Sequence, residues 1–182
     1  MRMITRELWI VTASAAGRRG GLTATWVSAA SIDPEQPMLL IGIAENHFTR
    51  ELIAAAGSFA VHLLRPDQGA IAWNFAHDSG GTRDKFAGLS VRDGVTESPV
   101  LADCLAWLEA RVVGEYSAGD RHFFWGEVIA GEPLSQGPAL TDQAWFGTLS
   151  AEQKQHLLAS RTADIAVQRP LQAAWRQANL SE

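Results

Sequence analysis

Between Gly21 and Pro37 the chain reads GLTATWVSAASIDPEQP. Thr23, Thr25 and Ser28 place hydroxyl groups around one indole, Trp26, and the side chains on to Ser31 are small. A strand that only filled a core would carry larger aliphatic residues. Alanines and the pair Gly20 and Gly21 let a flat ligand approach the backbone closely. The hydroxyls and free N–H groups can hydrogen-bond the polar edge of such a ligand, and Trp26 can cover an aromatic ring by stacking. The competing reading makes the same segment a strand at a barrel corner, with Trp26 in the core.

Other chemistries find little support. No GxSxG, HExxH, CxxC or Walker A sequence occurs. The five histidines lack metal-ligand spacing, so no metal is expected, and His62 in FAVHLL reads as structural. Tyr116 and Asp120 form no nucleophilic constellation with their neighbours. The one cysteine, Cys104, excludes an internal disulfide and a metal cluster. A formal net charge of −5 argues against general binding to nucleic acid or a membrane surface. The basic residues are thirteen arginines and two lysines, Lys85 and Lys154, so a lysine beside a glycine-rich loop stands out. The longest apolar run, MLLIGIA, is too short to span a bilayer. The opening MRMITRELWIVTASAAG faintly resembles a signal peptide, but Glu7 interrupts it and the pattern runs on into the fold. The expectation is a mature, cytoplasmic chain.

These residues need elements to hold them. At 182 residues and 47% hydrophobic content, the chain suits one compact domain with an appendage. LWIVTAS predicts a strand, AAGRRGG a turn and LTATWVSAAS a second strand, in which Thr23 and Thr25 face one way and Ala24, Trp26 and Ser28 the other. MLLIGIA and SFAVHLL predict buried strands. Between them NHFTRELIAAAG predicts a short helix with Asn46 as N-cap and Gly57 as its stop. RPDQGAIAWNFAH predicts a helix from near Asp67, and DSGGTRDKFAGL a loop. A weak strand near Ser90 to Thr96 precedes LAWLEARVVGEYS and HFFWGEVIAGEPL, a long hairpin turned at AGD. Strands at this spacing suggest a closed antiparallel barrel of about six strands. SAEQKQHLLAS and RPLQAAWRQANLSE predict two helices.

The same segments, in order, resemble the flavin reductase-like family, the FMN-binding split barrels. TATWVSAAS, IDPEQP and MLLIGIA are similar to its cofactor strand, proline turn and apolar strand. NHFTRELIAAAGSFAVHLLRPDQ, RDKFAGL and GDRHFFWGEVIAGE resemble three further family patterns. The resemblance covers Leu8 to Leu149. It implies a mainly β, antiparallel split barrel with peripheral helices over residues 1–149. Residues 150–182 then form a helical extension packed on the domain or on its dimer partner.

The resemblance further implies a non-covalently bound FMN, with FAD as the alternative, and NADH or NADPH as electron donor. Thr23, Ala24, Thr25 and Trp26 would line the flavin ring, with Ser28 and Ser31 further along the same motif. Thr49 would contact the phosphate, in agreement with the free N–H groups of a helix N-terminus. Lys85, followed by Phe86, would supply the phosphate cation, and Asn46 and His47 would be neighbours of the ribityl chain or phosphate. The implied activity is NAD(P)H:flavin oxidoreductase in a homodimer, with reduced flavin serving oxygen or a partner monooxygenase. A flavin-binding electron carrier or sensor without a nicotinamide site is the alternative, and a barrel binding another planar ligand is a third. The chain departs from the pattern where the family histidine after GD becomes Arg121, the candidate catalytic residue. His122, one place on, would point to the opposite face of its strand.

Overall fold

The structure, a computed structural model, describes residues 4–180. The expected ranges 1–149 and 150–182 therefore each end in residues that lie outside the described ones. Two strands, β1 (Trp9–Ala15) and β2 (Arg18–Ala24), form a hairpin turned by Ala16 and Gly17 alone, at φ 50° and 74°. Positive φ at both central residues is what a two-residue hairpin turn requires. Arg18 to Gly21, expected in the turn, are thus freed to pair with β1, and Gly21 lies opposite Thr12.

The expected single strand through Trp26 is broken. Thr25 and Trp26 separate β2 from β3 (Val27–Ala29), and β3 pairs only with β4 (Met38–Ala44). The remaining strands of the sheet are β5 (Ser58–Leu63), β8 (Ala106–Ser117) and β9 (Arg121–Pro133). The seven run β2-β1-β5-β8-β9-β4-β3, and every pair is antiparallel. β2 and β3 lie at opposite edges of this order, yet only two residues join them. At about 3.3–3.6 Å per residue that link spans about 11 Å, so the sheet must curl until its edges nearly meet. The result is a split barrel, one strand larger than expected. The two long strands β8 and β9 bend at register shifts near Ala110 and Val112. A separate pair, β6 (Val91–Asp93) and β7 (Pro99–Leu101), packs outside; β7 was not foreseen.

Alternating residues of the curled sheet fill the barrel. Val11, Ile41, Phe59, Val61 and Phe124 are fully buried there. Helix α1 (Phe48–Ala56) closes one end with Leu52 and Ile53, and Gly57 ends it at φ 65°. After a 3-10 turn at Pro66–Gln68 comes α2 (Gly69–Ala76). His62 is structural, as expected: its Nδ1 donates to Ile10 O at 3.1 Å and its Nε2 accepts from Leu101 N at 3.1 Å.

The C-terminal region differs from expectation. A short helix, α3 (Asp142–Thr148), is capped by the Thr141 hydroxyl. Beyond it α4 (Ala151–Leu180) is one helix of 30 residues that runs through Pro170. Proline removes one N–H and usually ends a helix. Here strong helix formers on both sides, among them LQAAWRQ, carry it across the gap. Among the described residues no helix is long and apolar enough to cross a membrane.

Candidate functional site

The first turn of α1, the end of α2 and the loop before Lys85 converge beside β2. They enclose a cavity of about 300 Å³ lined by Thr23, Asn46, His47, Thr49, Ser79 and Lys85, among others. Two more cavities adjoin it. One of about 650 Å³ is lined by Thr23, Thr25, Trp145, Phe146, Leu158 and Arg161. One of about 330 Å³ is lined by His47, Arg121, Ser160, Arg161, Asp164 and Gln168. Ala76, the last residue of α2, lines all three, so they meet at one point.

Lys85 is buried, and its Nζ donates to Phe75 O at 2.8 Å. Burial, helped by the nearby Arg83, pulls its amine down to about 8, well below the usual lysine range. An ammonium ion has three donors, and one is used here. Thr49 is buried too, and its hydroxyl has no hydrogen-bond partner among the described residues. His47 occupies the N-cap position of α1 with no side-chain cap bond, so no side chain there satisfies the first-turn N–H groups. Burial lowers the His47 pKa, while Asp164 pulls it up and Arg121 and Lys85 push it further down. A lysine amine, a free hydroxyl and uncapped helix amides facing one cavity fit a phosphate group. The wider cavity, with Trp145 and Phe146 on its wall and Thr23 and Thr25 on its floor, fits a flat heteroaromatic ring. The residues present therefore suit a flavin mononucleotide.

Of the other cofactor-binding residues expected, Asn46 borders the 300 Å³ cavity and the rest lie elsewhere. Trp26 borders a different cavity, with Ser28 and Phe123, and its ring stacks with Phe123 at 6.1 Å. It is 37% exposed, so it is not a core residue either. Ala24 is buried in the core. The Ser28 hydroxyl donates to Ala29 O. Ser31 clamps its own turn, donating to Gln36 O and accepting from Met38 N. Phe86 is buried edge-on against Phe75 under the Arg19 guanidinium. Asn46 is not the N-cap, because its amide is engaged by α4: Nδ2 donates to Asp164 at 2.9 Å and Oδ1 accepts from Gln168 at 3.0 Å. The glycine pair is closely packed, and Gly21 also lines the 300 Å³ cavity. A Cβ on Gly20 would meet Leu52 at 2.8 Å, and one on Gly21 would meet Phe75 at 2.7 Å.

Arg121 and His122 do point to opposite faces. The Arg121 guanidinium lies 5.0 Å from the Trp26 ring centroid, whereas His122 is bracketed by the carboxylates of Glu45 and Glu115. The residues missed from sequence are those of α4. Ser160, Asp164 and Gln168 recur every four residues, a helical-face signal that could have marked them, but nothing local says which surface that face covers. Gln172 extends the contact, its amide donating to Ala118 O at 2.8 Å and Asp120 Oδ1 at 2.7 Å.

Known proteins resemble the chain in sequence and in fold. The flavin reductase like domain matches residues 1–149. The chain is 35% identical over 139 residues to NADH:riboflavin 5'-phosphate oxidoreductase of Streptomyces pristinaespiralis, covering 73% of this chain and 76% of that one. It is 34% identical over 131 residues to the reductase component of a 4-nitrophenol 4-monooxygenase/4-nitrocatechol 2-monooxygenase from Rhodococcus opacus, covering 69% and 68%. Three further curated relatives are longer, and the chain spans 38%, 23% and 62% of their length. Among solved structures, the NADH:FAD oxidoreductase of Streptomyces globisporus C-1027 superposes with a TM-score of 0.69 at 26% identity, covering 76% of this chain and 81% of that one. By sequence and by fold, the chain belongs to the flavin reductase like domain family.

Proposed function

We propose that the protein is an NAD(P)H:flavin oxidoreductase that holds FMN and delivers reducing equivalents to oxygen or to a flavin-dependent monooxygenase. The observation that carries this reading is the convergence of Thr49, Lys85 and the uncapped start of α1 on one cavity that opens into the ring-sized space beside Thr23 and Thr25. Thr49 and Lys85 bind the phosphate, and Thr23 and Thr25 border the ring. Arg121, on the wall of the 330 Å³ cavity, holds an anionic edge of the donor or of the reduced ring, since a guanidinium stays charged at any working pH. Trp145, Phe146 and Leu157 exclude water from the ring. The flavin itself supplies the hydride-accepting chemistry when bound.

The relatives above, one a flavin oxidoreductase and one a monooxygenase reductase component, support the same activity and partner for this chain. A homodimer belongs to the reading. It is supported by the exposed apolar side chains of Val113, Tyr116 and Trp125 on the β8–β9 hairpin and of Leu158, Val167 and Leu171 on α4. A cytoplasmic setting follows from dependence on reduced nicotinamide nucleotides.

The test is to purify the protein, identify the flavin it releases, and mix the loaded protein anaerobically with NADH and with NADPH. Bleaching of the visible flavin band is expected with at least one donor. Flavin binding without bleaching by either would replace this reading with the electron-carrier one.

A further inference from the structure

The inner face of α4 is built unlike that of a merely structural helix. Ser160, Arg161, Asp164, Ile165 and Gln168 recur at spacings of one, three and four residues and line the cavities beneath. Val167 and Leu180 remain substantially exposed, while Leu157 and Leu158 border the 650 Å³ cavity. A helix that packs for stability turns its apolar stripe inward. Here the single buried residue is Gln168.

Two of the inward polar residues already have partners, because Asp164 and Gln168 are both bonded to Asn46. Arg161 has none. Among the described residues its guanidinium makes no hydrogen bond or ion pair, and it lines both the 650 Å³ and the 330 Å³ cavity. Arg121 reaches the smaller cavity from β9. Two permanent positive charges thus line one space; Arg121 is paired at 3.9 Å with Asp120, and the carboxylate on the cavity wall is Asp164, whose Oδ1 accepts from Asn46. The planar fork of a guanidinium matches phosphate oxygens two at a time.

A mononucleotide brings one phosphate, and the Thr49–Lys85 cradle accounts for it. A second cationic centre, in the cavity that adjoins the cradle along His47, Ser160 and Asp164, calls for a ligand with a further phosphate. We propose that Arg161, together with Arg121, binds the diphosphate of a dinucleotide, so that the C-terminal helix completes the substrate site. This rests on the oxidoreductase reading above. Arg161 lies beyond the residues 1–149 that the flavin reductase like domain matches. Either an electron donor or FAD could bring the diphosphate, and the measurements separate them.

The experiment compares wild type, Arg161→Gln and, as a control on the same helix, the exposed Arg169→Gln. Binding of ADP to the FMN-loaded protein is measured by calorimetry, with NADH and reduced nicotinamide mononucleotide followed by anaerobic flavin bleaching. FMN and FAD affinities are measured on the stripped protein. Arg161→Gln should weaken ADP binding by about tenfold, the scale of one charge-assisted contact, and leave FMN affinity and melting temperature unchanged. If NADH loses the same factor while the mononucleotide keeps its rate, the donor brings the diphosphate. If FAD loses it relative to FMN, the flavin does. Absence of ADP binding to wild type, or equal ADP, NADH and FAD binding by wild type and Arg161→Gln, overturns the proposal. Should ADP bind through Arg161 while NADH fails to bleach wild type, the diphosphate site stands and the reductase reading falls.

Discussion

The Arg121 guanidinium stands 5.0 Å from the centroid of the Trp26 ring, and Trp26 in turn lies nearly parallel to Phe123, at an interplanar angle of 11°. Strand β9 places Arg121 and Phe123 two residues apart on one face, and Gly42 opposite Phe123 leaves the room that Trp26 occupies. The indole therefore orients the arginine. Arg121→Ala is expected to slow donor-driven bleaching by roughly tenfold, with little change in FMN affinity. Trp26→Leu should reproduce part of that loss. A double-mutant cycle should show coupling of about 0.5–2 kcal/mol between the two, the range of a cation–π contact. Strict additivity would show that Trp26 does not act through Arg121.

The phosphate cradle has a pH signature. The Lys85 amine, held down to about 8 by burial, is charged below that pH and loses its charge above it. FMN binding should therefore weaken as pH rises through about 8, while riboflavin, which lacks the phosphate, should show no such step. Lys85→Met should cost FMN about tenfold or more in affinity below that pH and flatten the profile. Equal losses for FMN and riboflavin would place Lys85 outside the phosphate site.

Asp164 puts a carboxylate on the wall of the cavity that also holds Thr49 and Lys85. A like charge there disfavours a phosphate. Asp164→Asn keeps a partner for Asn46 and removes the charge, so FMN should bind several-fold tighter at low ionic strength, with the gain shrinking as salt is added. Unchanged FMN affinity across the salt series would mean that the carboxylate is turned away from the bound phosphate.

His62 makes stability fall with acid. Burial lowers its pKa to about 4, because the charged ring would be desolvated, and the bond to Ile10 O, which favours the charged form, offsets only part of that. Its folded pKa lies below the unfolded value near 6.5, so the unfolded chain binds the proton first. The contribution of the neutral ring is complete above about pH 6.5 and is lost as pH falls toward 4. That amounts to roughly 3 kcal/mol at 1.36 kcal/mol per unit. Denaturant melts of wild type and His62→Gln over this range should converge at the acid end; parallel curves would rule the histidine out as the cause.

Glu109 is fully buried, and its carboxylate accepts from Val95 N at 2.9 Å, Thr96 N at 3.0 Å and the Thr96 hydroxyl at 2.7 Å. It fits only because Gly94 has no side chain, since a Cβ there would sit 2.1 Å from Oε1. Gly94→Ala should cost about 1–3 kcal/mol by overpacking, and Glu109→Ala about as much by leaving the partly buried N–H groups of Val95 and Thr96 without their acceptor. Loss of stability with flavin binding intact in the surviving fold is the expected outcome. An unchanged midpoint for Gly94→Ala would show that the loop moves aside.

Much of the barrel was legible locally. MLLIGIA and SFAVHLL are strands because short apolar runs between turn residues can only be buried, and the hairpin at AGD follows from its glycine, at φ 79°. The Thr49 and Lys85 assignments rested on a helix start and a scarce residue, both visible in the chain. The break at Thr25–Trp26 was not legible, because small β-formers continue on either side of it. It is the closing of the sheet, with Trp26 O accepting from Gly42 N at 2.9 Å, that bends the chain there.

By itself the sequence determined an antiparallel barrel, the short helix α1 and a structural His62. Each follows from alternation, capping or burial within a few residues. Only the tertiary structure decided that Trp26 stacks on Phe123 beside Arg121, and that Ser31 and Phe86 stay with their own turn and core. It also decided that α4 lies over the site. The bond from Asn46 to Asp164 spans 118 positions, and a helical face of period 3.6 carries no record of which surface it will cover. That choice is made by the packing of the whole chain, where the surface offered by α1 and the β8–β9 hairpin meets the polar face of the last helix.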